Sequence, residues 1–148
     1  MMRRARWMSP ERRRDDGFTL IELLVVIIII GILCAIAIPI FLNQRHRAID
    51  ASIQSDLRNV ANQMESYYSD FSMYPTTLAG TTFAGYTVLG NELLRVSTGN
   101  VILVNFNAAA DAYCLQGTNP QGTDATGWFY VSDTGGLQPK GTGSCGTY

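Results

Sequence analysis

From Leu23 to Gln44 no side chain carries a charge, and most residues are Leu, Ile, Val or Ala. Such a run is long enough to cross the hydrocarbon core of a bilayer, which needs about 20 mostly apolar residues. In lipid a single segment satisfies its own backbone only as a helix. The run therefore predicts a helix whose surface is covered by something other than a small domain of the same chain. One acid, Glu22, stands at its front edge, and six arginines precede it.

Helical spacing continues past the apolar run. Ile49, Ile53, Leu57, Val60, Met64, Tyr67 or Tyr68, and Phe71 recur three and four residues apart, the period of an amphipathic helix. Asp50, Gln54, Asp56, Arg58, Asn62 and Glu65 fall between them and predict an opposite, polar face. Tyr74-Pro75 sets the end, because proline disfavours the helical state of the residue before it. One helix from Phe18 to about Met73 would be roughly 80 Å long at about 1.5 Å per residue. Gly31 and Pro39 interrupt its apolar half. In water such a proline costs about 3 kcal/mol, but in a membrane both residues are tolerated, and a simple kink is their ordinary meaning.

The string Gly17-Phe18-Thr19-Leu20-Ile21-Glu22 resembles the type III signal sequence of type IV pilins and the related pseudopilins. The resemblance is dense over residues 17–43. It implies a leader, residues 1–17, removed by a prepilin peptidase that cuts after Gly17 and methylates the new amino terminus at Phe18. It also implies that Glu22 meets the Phe18 amine of a neighbouring subunit, and that the helix around Gly31 and Pro39 melts locally in the assembled filament. The partners implied are the peptidase, identical or related pilin subunits in a helical filament, the membrane before assembly, and the pilus assembly machinery. Glu22 would lie in the first helical turn after cleavage, where the helix dipole favours negative charge.

Charge is uneven along the chain. Residues 1–17 hold six arginines against Glu11, Asp15 and Asp16, which by the positive-inside rule favours a cytoplasmic amino terminus and places the carboxyl-terminal domain across the membrane. Residues 18–148 hold five basic side chains against nine acids. No Lys/Arg patch of the kind that binds nucleic acid stands out there. Cys114 and Cys145 fall in the expected exported domain, where an even pair is expected to be bonded. Cys34 lies in the apolar run and reads as a small buried hydrophobe. Arg45, His46 and Arg47 follow the run and read as a membrane-interface anchor.

Beyond Pro75, residues 76–91 read as a loop with some strand character. Residues 101–106, 112–116 and 128–131 read as strands, and residues 135–148 as an irregular tail that Cys145 ties back. The fold expected is α+β: a long amino-terminal helix, membrane-spanning then amphipathic, packed on a small antiparallel sheet, as in type IV pilins. Its divisions are a leader at 1–17, a transmembrane and assembly helix at 18–44, and an exported head at 45–148 that includes the amphipathic helix 45–74.

Catalysis finds little support. His46 is the only histidine, and no nucleophile–base pair, P-loop or C-x-x-C is present. No cofactor or metal is expected, and Asp111, Asp124 and Asp133 lack EF-hand spacing and read as solvated turn acids. The aromatics Tyr67, Tyr68, Phe71 and Tyr74 read as helix-to-sheet packing. The chain is thus expected to be a structural filament subunit. The alternatives are a type II secretion pseudopilin, a competence pilin serving DNA uptake, or, from another class, a single-pass membrane-anchored binding protein that keeps residues 1–17.

Overall fold

A computed structural model describes residues 17–89, 92–107 and 111–145. The first element, α1, runs Leu20–Phe71, and the chain divides between Pro39 and Ile40 into two units. In the first unit α1 is helical through Gly31 and remains so at Pro39. Its large apolar side chains are uniformly exposed, from Leu24 at 44% to Leu20 at 81%. Cys34 is exposed with them. It is not buried as expected, because no other part of the described chain covers this stretch.

In the second unit, residues 40–71 of α1 pack on a sheet. Ile53, Leu57, Val60, Ala61 and Met64 are buried, and their spacing of three and four puts them on one face. Helix α1 stops at Phe71, two residues short of Met73. Ser72 takes a left-handed φ of 53°, and its amide donates to the carbonyl of Tyr68 at 2.7 Å, the manner in which helices commonly close. Phe71 does not join the buried face. It is half exposed and stacks on Tyr67 with centroids 4.4 Å apart.

Among the described residues, seven strands follow a short 3-10 turn at Thr76–Leu78. They are β1 (Thr81–Phe83), β2 (Tyr86–Leu89), β3 (Glu92–Arg95), β4 (Val101–Asn107), β5 (Ala112–Thr118), β6 (Trp128–Val131) and β7 (Gly136–Leu137). An antiparallel sheet has the order β1-β4-β5-β6-β7, and β2 and β3 form a separate hairpin. The stretch 76–91, read as mostly loop, thus contains two strands, and β3 continues just beyond it. Leu89, Leu94 and Val96 of the hairpin region are buried in the same core as the helix face. The tail read as irregular contributes β7, which pairs Leu137 with Tyr130 and Gly136 with Val131.

Alternate residues of a strand face opposite sides, and β5 uses both. Tyr113 and Leu115 join Ile102 and Val104 in the core against α1. Cys114 lies on the other face with Phe129 and Val131 of β6. A disulfide from Cys114 to Cys145, with Cα atoms 5.6 Å apart, brings the tail across that outer face. Gly143 lies so close to Phe129 that an added Cβ would collide with its ring.

Candidate processing and assembly site

Gly17 and Phe18 lie in the extended segment before α1, and Phe18 is 80% exposed. Nothing lies within 4 Å of a Cβ built on Gly17 or Gly31. Among the described residues nothing covers the Gly17–Phe18 bond, which lies before the helix begins.

The helix starts with a reciprocal cap that the reading of Glu22 had missed. The amide of Glu22 donates to Thr19 Oγ1 at 3.3 Å, and the amide of Thr19 donates back to Glu22 Oε2 at 2.9 Å. The Thr19 hydroxyl donates to the same oxygen at 2.7 Å. This is a capping box, in which a Ser/Thr at the cap and a Glu/Gln three residues on each satisfy a backbone N–H that the helix leaves orphaned. The signal was present as Thr19-Leu20-Ile21-Glu22. Both bonds fall on Oε2, so Oε1 can accept from a further donor.

The head is joined to α1 by polar groups that periodicity had assigned to an exposed face. Asp50 and Asp56 are buried. Asp56 accepts from the Ser97 amide at 2.9 Å, the Ser97 hydroxyl at 3.0 Å and Asn100 Nδ2 at 2.7 Å. Asn119 Nδ2 in turn donates to Asn100 Oδ1 at 2.7 Å. Asp50 accepts from the amide of Thr123 at 2.9 Å and from its hydroxyl. A buried carboxylate is tolerated when its oxygens are filled this way. The two acids fix the loops at 97–100 and 119–123 to the helix.

Arg45 and His46 also turn toward the head. Arg45 Nη2 donates to Gln121 Oε1 at 2.8 Å, and His46 Nδ1 lies 2.7 Å from the carbonyl of Gln121. A carbonyl only accepts, so Nδ1 carries the proton. Both side chains are thus engaged by the loop at Gln121, a role that the reading of them as a membrane-interface anchor did not include.

At the far end of the helix, tyrosines surround Glu65. Tyr113 donates to Glu65 Oε1 at 2.9 Å, and Tyr74 lies 3.3 Å from both carboxylate oxygens. Burial, then the Glu65 charge, pushes Tyr74 up to about 12, and burial with the Glu65 hydrogen bond raises Tyr113 further. Tyr68 donates to Asp111 at 2.8 Å, and that bond raises its phenol. Asp111 is exposed in a turn, as expected, and is also a partner of the helix. Asp124 is held low by the hydroxyl and amide of Thr126. Among the described residues, no group of three or more His, Cys, Asp and Glu side chains could hold a metal ion.

Residues 12–38 match the Prokaryotic N-terminal methylation motif. Over 130 residues the chain is 33% identical to the type IV wide pilus major component PilA4 of Thermus thermophilus, covering 88% of this chain and 91% of that one. It is 37% identical over 70 residues to the type II secretion system core protein G of Aeromonas hydrophila, covering 47% of this chain and 49% of that protein. With core protein G of Pseudomonas aeruginosa it shares 32% over 97 residues, 66% of this chain and 62% of the other. Against these two the chain spans 49% and 62% of the relative's length, whereas against the pilin it spans 91%. With its capped apolar helix packed on a small antiparallel sheet, this chain belongs to the family of type IV pilins and their pseudopilin relatives.

Proposed function

We propose that the chain is a prepilin, a structural subunit and not an enzyme, whose mature form begins at Phe18 and builds a type IV pilus-like filament. A prepilin peptidase cuts the Gly17–Phe18 bond and the new Phe18 amine is methylated. Residues 1–17 hold the precursor with its amino terminus in the cytoplasm. Residues 18–44 then leave the bilayer for the filament core, and the head from residue 45 onward coats the outside, on the cell surface.

One observation carries this reading: the apolar half of α1 has every large side chain at least 44% exposed. Burying apolar surface is worth about 25 cal/mol per Å², so a helix of this kind in water must find a bilayer or other subunits. Glu22 marks which. Its Oε2 is engaged within its own chain, and its Oε1 is the acceptor for the Phe18 amine of an adjacent subunit. Gly31 and Pro39 are where the helix gives way as the chain moves from lipid to filament, since Pro39 lacks a backbone donor.

A type II secretion pseudopilus is the second reading, favoured by the matches to core protein G. The pilus is preferred because the match to the pilin extends through the head.

The capping box sharpens the test. Glu22→Gln keeps a side chain able to complete the box but removes the charge, whereas Glu22→Ala removes both. If the charge meets an incoming amine, both variants are cut, stay in the membrane fraction and yield few fibres. Leaving one member of a buried pair alone costs about 3–5 kcal/mol. Normal fibres from Glu22→Gln would assign Glu22 to the cap alone.

A further inference from the structure

Three of the five basic side chains in residues 18–148, namely Arg45, Arg47 and Lys140, gather where the apolar run ends. Arg47 and Lys140 border an open recess of about 610 Å³ with Asn43, His46, Gly122 and Thr123. Arg45 is turned aside to Gln121.

We propose that this recess binds the phosphate of an anionic phospholipid head group while the subunit resides in the bilayer. The donors are built in rather than gathered by chance. Lys140 Nζ donates to Thr123 Oγ1 at 2.6 Å, and Thr123 is itself fixed by buried Asp50 through its amide and hydroxyl. Lys140 is thereby set in place with two further protons to donate. His46 lines the wall with its Nδ1–H spent on the Gln121 carbonyl, so its neutral ring shapes the recess and leaves the donating to Lys140 and Arg47. Arg47 supplies the planar fork that suits phosphate oxygens.

The acids nearby offset part of this charge, two against the three basic side chains: Asp50 turns its oxygens to Thr123, and Asp124, held low first by the Thr126 hydroxyl and amide, also feels the charge of Lys140. Position supplies the choice of ligand. Asn43 directly follows the last apolar residue, Leu42, and His46 and Arg47 lie one turn further on, the level at which head groups begin above a spanning helix. A subunit held in this way must release a lipid on entering the filament, so the recess would tie the head to the bilayer until assembly.

The inference rests on the membrane stage of the proposed function. Its test is native mass spectrometry of the intact processed chain from micelles containing equal phosphatidylglycerol and phosphatidylcholine. Wild type retains one phosphatidylglycerol in preference to phosphatidylcholine. Arg47→Gln with Lys140→Gln lowers that retention about thirtyfold, from the usual gain per basic residue near an anionic surface. Arg47→Lys with Lys140→Arg restores most of it. Equal retention of the two lipids, or unchanged retention in the Gln variant, overturns the inference. Displacement of the lipid by millimolar inorganic phosphate also overturns it, since the recess would then take free phosphate. The polypeptide mass in the same spectra reports cleavage separately, so a failed recess is distinguishable from a failed pilin assignment.

Discussion

Gly117 of β5 lies directly against α1, and replacing it with alanine should unsettle the head. A Cβ built there lies 2.6 Å from Ile53 Cγ2 and 3.2 Å from Leu57 Cγ. Both side chains are buried in the core, at 1% and 0% exposure, so neither can swing into solvent. Forcing one extra carbon into a filled core costs about 1–3 kcal/mol. Against this, replacing a strand glycine recovers about 0.5–1 kcal/mol of chain entropy. The net expectation is a loss of about 1–2 kcal/mol. For a head of this size each kcal/mol lowers Tm by roughly 4–8 °C. Thermal unfolding followed by circular dichroism, with the disulfide intact, measures the change. A double-mutant cycle with Ile53→Ala locates its origin, because the penalty should shrink when Cγ2 is absent. An unchanged or raised Tm for Gly117→Ala, or an equal penalty in the Ile53→Ala background, would refute the close-packing argument.

Two further outcomes are expected of the head. Asp56→Ala leaves the Ser97 amide without its acceptor and buried Asn100 Nδ2 with Ser52 alone, at about 1–3 kcal/mol for an orphaned group; equilibrium denaturation should give a lower midpoint, and a loss below 1 kcal/mol would deny the network its role. Cys145→Ser opens a link spanning 31 residues, worth roughly 3–4 kcal/mol in the chain-entropy model; limited proteolysis should then cut the tail near Gly141 and Gly143, and equal resistance to wild type would count against the tail's being held by the bond.

Much of the fold was legible because its signals are local. The apolar run, the spacing from Ile49 to Met64, and the β-rich strings at 101–106, 112–116 and 128–131 each declare an element by themselves. Asp50 and Asp56 were misplaced because periodicity counts charge as exposure. Whether an acid is buried depends on distant donors, here Ser97, Asn100 and Thr123. The β2–β3 hairpin is only half legible, β2 as part of a loop with some strand character at 76–91 and β3 not at all, because its paired residues, from Tyr86–Arg95 to Leu89–Glu92, mix polar and apolar types. Only its packing on the helix decides which face is inside. The capping box is written in the sequence as Thr19-x-x-Glu22, a local signal that the charge of Glu22 does not reveal. The basic recess was not readable, because Lys140 lies 93 positions from Arg47 and comes to the same recess through the fold, where it is held by Thr123.

The central claim is that the chain is cut at Gly17–Phe18 and that the product is what assembles. Intact mass spectrometry of fibres sheared from cells tests it most directly. The account predicts a polypeptide beginning at Phe18, heavier by one methyl group, with its two head cysteines oxidised. A Gly17→Val precursor should remain full length in the membrane and contribute nothing to the fibres. Fibres containing the chain with residues 1–17 still attached, or surface fibres that lack this chain in otherwise normal cells, would contradict the account.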